Sequence, residues 1–183
     1  MAGQRHFYLS PGMCASGQTM AFERQQPVVD YKPDDGAHDV TSWRQRIRQQ
    51  EILAQLGVKA LHGATFNELL NETARLTAEG LGAEFCKVLE YQPRDNRLLV
   101  RAGIGWASGT IGQVSLGVDL ESPAGFAFQT GQMVISNHLH EETRFRTPEL
   151  LSDHGIRRAI NVLIARGGEG HLPFGVLEVD SPE

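Results

Sequence analysis

From Thr41 onward the apolar positions change their spacing several times, and each spacing predicts an element. The stretch 41–63 carries good helix formers, with Trp43, Ile47, Leu53, Leu56, Ala60 and Leu61 roughly three to four apart. Its first half is basic (Arg44, Arg46, Arg48) and only narrowly apolar. That pattern suits a helix that leaves the globule to meet a twin, or an ordinary amphipathic surface helix. A second helix is marked more sharply. Thr65 followed by Glu68 forms a capping box, Phe66, Leu69, Leu70, Thr73, Leu76 and Leu81 share one face, and Gly80 or Gly82 supplies the stop.

The period then drops toward two. Residues 84–91 fit a half-buried strand with imperfect alternation, the loop 92–97 holds Pro93, Asp95 and Asn96, and 98–102 returns as the partner strand. Ser122-Pro123 opens a short helix ended by Gly131, residues 132–135 form a brief strand, and Thr147-Pro148 to Gly155 repeats the cap, proline and glycine pattern. Apolar runs at 158–165 and 172–179 flank the glycine-rich turn 166–171 and close the chain. Helices first, then strands joined by short connections, predict an α+β domain around an antiparallel sheet.

Residues 1–40 show no sustained period and hold three of the eight prolines, so they read as a disordered or loosely packed lead-in. Within them Val28-Val29-Asp30-Tyr31 is the one patch suited to a sheet edge. The remaining 41–183 are enough for one domain. Composition narrows the function. Seventeen basic against 22 acidic residues give a net charge of −5, opposite to a nucleic-acid footprint. No apolar run is long enough for a membrane span, no signal-peptide core is present, and two cysteines make no disulfide framework, so a cytoplasmic location is expected.

Catalytic and cofactor motifs fail in turn. Gly103-x-Gly105-x-x-x-Gly109 has the wrong spacing for a dinucleotide loop, and no phosphate-binding G-x-x-x-x-G-K-[ST] or nucleophile-elbow G-x-S-x-G occurs. His138 and His140 offer two metal ligands from one strand face, with no third specified. Cys86 sits in an apolar strand and Cys14 in the lead-in, and no carboxylate pair stands out for acid–base work. The remaining candidate is a binding pocket. Trp106, Phe126, Phe128 and Phe145 fall in the loops and short helices between the two hairpins, with Asn137, Arg144 and Arg157 as polar groups at the edges. The same aromatics equally suit plain core filling.

Several tracts in fixed order resemble a GAF domain: Leu53-x-x-Leu56-Gly57, Thr65-Phe66-x-Glu68-Leu69-Leu70, Glu79-Gly80-Leu81-Gly82, Phe85-Cys86-Lys87-Val88-Leu89-Glu90, Arg101-Ala102-Gly103-x-Gly105-Trp106, Ser122-Pro123-Ala124-Gly125, Leu150-Leu151-x-Asp153-His154-Gly155 and Phe174-Gly175-Val176-Leu177-Glu178-Val179. The likeness is greatest to GAF domains of bacterial sensors that feed histidine kinases in two-component signalling. It implies a sheet of five or six antiparallel strands, N-terminal helices on one face, and ligand-pocket loops and short helices on the other. It further implies a small-ligand site at Trp106, Phe126, Asn137, Phe145 and the helix at 148–155, to which the pocket reading adds Arg157, and a homodimer through the N-terminal helix. A histidine kinase or response-regulator output is the implied partner, with no catalytic residue or metal in the domain and no cofactor identified.

The chain departs from family variants in three ways. The Asn-Lys…Phe…Asp-Glu motif of cyclic-nucleotide binders is present only in fragments around Asn137 and Phe145, the cysteines of methionine-sulfoxide-reducing members are reduced to Cys86, and the usual C-terminal helix is expected to be missing after Glu183. The alternative to a ligand sensor is a ligand-free dimerisation or interaction module, and a thiol oxidoreductase ranks third.

Overall fold

A computed structural model describes residues 36–167 and 172–182. Four helices and six strands follow in the order α1 (Gly36–Leu61), α2 (Phe66–Leu81), β1 (Phe85–Gln92), β2 (Arg97–Ile104), β3 (Ser115–Gly117), α3 (Pro123–Thr130), β4 (Val134–Ser136), α4 (Glu149–Asp153), β5 (Arg158–Ile164) and β6 (Gly175–Ser181). The strands make one antiparallel sheet in the order β3-β2-β1-β6-β5-β4. The α+β architecture with a six-stranded sheet is therefore as the sequence led us to expect. α1 begins at Gly36, five residues ahead of the expected start at Thr41. The Val28–Tyr31 patch lies outside the described residues.

Local chemistry accounts for the element ends. At α2 the Thr65 amide donates to Glu68 Oε2 at 2.7 Å while the Glu68 amide donates to Thr65 Oγ1 at 3.3 Å, and Gly82 closes the helix at φ 64°. At α3 the Gly125 amide donates to Ser122 Oγ at 3.0 Å, Pro123 occupies the first turn and Gly131 ends it at φ 71°. Two elements escaped the sequence reading: β3, three residues long, and a 3-10 turn at Leu139–Glu141.

The sheet separates two cores. On one face α2 packs on β1 and β2, joining Leu70, Ala74 and Ala78 to Cys86, Val88, Ala102 and Val179. On the other, Leu89, Leu98, Val100 and Val176 meet Leu116, Val118 and Ala124, and α3 lies across β5 and β6. The long α1 rests on α2 through Ile52, the one buried side chain of that helix among the described residues.

Candidate functional site

The alternation of β1 that looked imperfect has a cause. Lys87 points to the α3 side of the sheet with no exposure, as do Glu178 and Asp180 of β6 at 1% each and Asn161 of β5 at 0%. Register builds the cluster: Lys87 lies opposite Glu178, and Glu178 opposite Asn161, so three neighbouring strands present these residues in one row. The Lys87 ammonium donates to Asp180 Oδ2 at 2.7 Å and approaches Glu178 Oε2 at 3.0 Å. It also sits 4.2 Å from the centroid of the Trp106 ring, a cation–π contact inside the protein.

Trp106 is held over the lysine from several sides. Its Nε1 donates to the Cys86 carbonyl at 3.0 Å, and its ring meets Phe85 and His154, each at 5.0 Å between centroids. Gly103, opposite Lys87 on β2, leaves the space: a Cβ there would stand 2.9 Å from both Trp106 Cδ1 and the Cys86 carbonyl. His154 ties the Trp106 loop to α4. The Ala107 amide donates to Nε2 at 3.3 Å and Nδ1 lies 2.8 Å from the Leu150 carbonyl, which assigns the ring proton to Nδ1.

The charges tune one another. Burial, then the Glu178 carboxylate, pushes the Asp180 carboxyl well above its ordinary value. For Lys87 burial opposes the charge, but the Asp180 and Glu178 carboxylates more than offset it and raise the ammonium pKa. Cys86, on the opposite face of β1, is fully buried, and burial drives its thiol up to about 12, away from the thiolate form that thiol chemistry requires.

Hydrogen bonding is incomplete at this row. Asn161 Nδ2 and Oδ1 and Asp180 Oδ1 have no partner among the described residues, and Glu178 Oε2 has only the ion-pair approach of Lys87. An unmet buried polar group costs about 1–3 kcal/mol, so such a cluster marks a place where stability has been set aside.

The five candidate ligand-site residues do not converge on one point. Trp106 covers Lys87. Phe126 and Phe145 meet edge to face at 5.4 Å, in the small cluster with Ala127 and Val134. Asn137 is exposed and borders an open cleft of about 400 Å³ with Leu81, Ala83, Ile160 and Val179. Arg157 is exposed beside a second open cleft of about 450 Å³, with His140, Thr147 and Ile156. Of the other edge residues, Phe128 stacks on Tyr91 at 4.5 Å and Arg144 clasps Glu142, which is held down to about 2 by that guanidinium. Sequence reasoning missed Lys87, Asn161, Glu178 and Asp180. The available signal was charge inside the apolar runs of β1 and β6, with Glu178 and Asp180 at i and i+2 on β6.

No group of three metal-ligating side chains occurs among the described residues, and no helix there is long and apolar enough to cross a membrane. The GAF domain family model matches residues 63–183. No curated protein matches the chain. Among solved structures, the GAF domain of a phosphoenolpyruvate-protein phosphotransferase from Acinetobacter superposes with a TM-score of 0.61 at 18% identity, over 74% of this chain and 77% of that one. The free methionine-R-sulfoxide reductase of Neisseria meningitidis, solved with its substrate, gives 0.61 at 18%, over 76% of each chain. The nlh2 GAF domain of A. aeolicus in an inactive state gives 0.61 at 18%, over 75% and 81%. At such identities these likenesses speak for the fold alone.

Proposed function

The chain belongs to the GAF domain family, and on that premise we propose that it is a non-catalytic signal-input domain of a bacterial two-component signalling protein. It binds a small ligand between the sheet and the α3–α4 side and modulates a histidine kinase-type output in the cytoplasm. The observation that carries this reading is the buried polar row Lys87–Glu178–Asn161 with Asp180, whose hydrogen bonding is unmet on that face. A row kept only for stability would have its partners in place.

Signal transfer is a population shift. A ligand that engages the row favours one placement of α3, α4 and the Trp106 loop, and the response equals its difference in affinity for the two placements. The sheet then passes the bias to α2 and α1. Exposed Val40, Trp43 and Ile47, spaced by three and four along α1, support a homodimer through that helix. The same three residues favour the second reading, a ligand-free dimerisation module.

Native mass spectrometry of the protein purified from cells separates the two. A co-purifying small mass that disappears on denaturation is the expected result; a dimer with no bound mass would hand the case to the interaction module. Trp43→Glu with Ile47→Glu is expected to yield a folded monomer by light scattering, and an unchanged dimer would remove α1 as the interface.

A further inference from the structure

The buried row divides into a part that is complete and a part that is not. Lys87 reaches both carboxylates at 2.7 and 3.0 Å and lies against the Trp106 ring, so its charge is spent inside the protein. A ligand ammonium would have to displace this tethered one, and a ligand carboxylate or phosphate would find the lysine already neutralised. Asn161 differs. Its amide holds a donor and an acceptor side by side, both fully buried and neither with a partner among the described residues. α3, which packs on β5 and β6, buries Pro123, Ala124, Gly125 and Ala127, a small apolar face, while its polar side chains Gln129 and Thr130 donate to the Val118 and Phe126 carbonyls. The two atoms of a carboxamide are best met together by another amide edge, donor to acceptor and acceptor to donor, in a planar bidentate pair.

We propose that the domain recognises an uncharged ligand through a cis-amide edge, as in a primary carboxamide or a lactam, paired to the side chain of Asn161 beneath α3. This rests on the ligand-binding reading above and adds the ligand's chemistry to it. Lys87, Glu178 and Asp180 act beside it as a fixed polar wall that excludes free charge, and Trp106 closes the end of the row. The unmet amide also makes the ligand-free protein less stable than it has to be, since an apolar side chain of like shape at 161 removes an unsatisfied group.

The test uses the full chain with propionamide and 2-pyrrolidinone as probes, and propionate, propylammonium and inorganic phosphate as matched charged controls. The two amides are expected to raise Tm and to shift the Asn161 side-chain amide resonance in the wild-type protein, while the charged controls do neither. Asn161→Leu is expected to raise the Tm of the ligand-free protein by about 3 °C and to abolish the amide response. An amide response that survives in Asn161→Leu overturns the assignment, as does a lower Tm in that variant, which would mean that bound water already satisfies the amide. If Asn161→Leu does not fold, the wild-type resonance decides: movement with amides supports the proposal and none overturns it. Stabilisation by a charged control instead of the amides would overturn the ligand class and leave the sensor reading standing. Silence from every probe, together with a native mass spectrum free of small molecules, would remove both.

Discussion

The two faces of the β1–β6 ladder are built from alternate residues of the same strands and solve opposite problems. Toward α2, Cys86, Val88 and Val179 meet Leu70, Ala74 and Ala78 in an apolar core. Toward α3, Lys87, Glu178 and Asp180 from the same two strands are buried just as deeply. The first face can be altered in shape with a graded loss. The second holds charges whose burial is tolerable only while they have one another. One face supplies stability and the other makes use of it.

The largest effect should come from unbalancing the charged face. Lys87→Met leaves two carboxylates without their cation and is expected to cost about 3–5 kcal/mol at pH 7 by urea denaturation. Part of this loss should return as pH falls and the carboxyls take up protons. A loss that does not change with pH would mean that the lysine acts through its packing. On the apolar face Leu70→Ala should cost about 2–3 kcal/mol with the same value at pH 5 and pH 8, and a marked pH dependence there would erase the contrast between the faces.

Asp180→Asn gives a finer test. Because its folded pKa is raised, the proton on Asp180 contributes stability in full below the ordinary carboxylate range, and that contribution is lost as pH rises through the raised value. Asparagine keeps the uncharged state at every pH. The variant should therefore gain on the parent at pH 8, with the gap closing toward acid. The smallest effect belongs to the surface. Glu142 accepts from Arg144 and Ser136 and is held near 2. A depressed pKa contributes stability above about 4.5 that is lost as pH falls toward 2. Glu142→Gln should cost less than about 1 kcal/mol, and only above that window.

Most of the frame was legible because it is written locally. The Thr65–Glu68 box, the Ser122-Pro123…Gly131 helix and the 92–97 turn each contain their own start or stop within a few residues. β3 was not legible: three residues hold too little pattern, and Ser115–Gly117 is a strand only because Arg97–Leu99 stands beside it. The charged row failed for a related reason. Lys87 and Glu178 are 91 positions apart in the chain and meet through register alone, so Lys87 showed only as imperfect alternation in β1 and Glu178 passed inside an apolar run. The aromatic candidates show the converse, since Phe126 and Trp106 share a stretch of sequence while the fold gives them separate neighbours.

The seating of α1 has one more consequence. Ile52 is its one buried side chain among the described residues, Leu56 is half-buried, and ion pairs add to the grip on α2: Arg48 to Glu79 and Lys59 to Glu72, each partner at least partly open to solvent. Such pairs are screened within about a Debye length. The helix is thus a rod on a narrow apolar seat with electrolyte-sensitive clamps, and its docking should respond to ionic strength while the sheet beneath it does not.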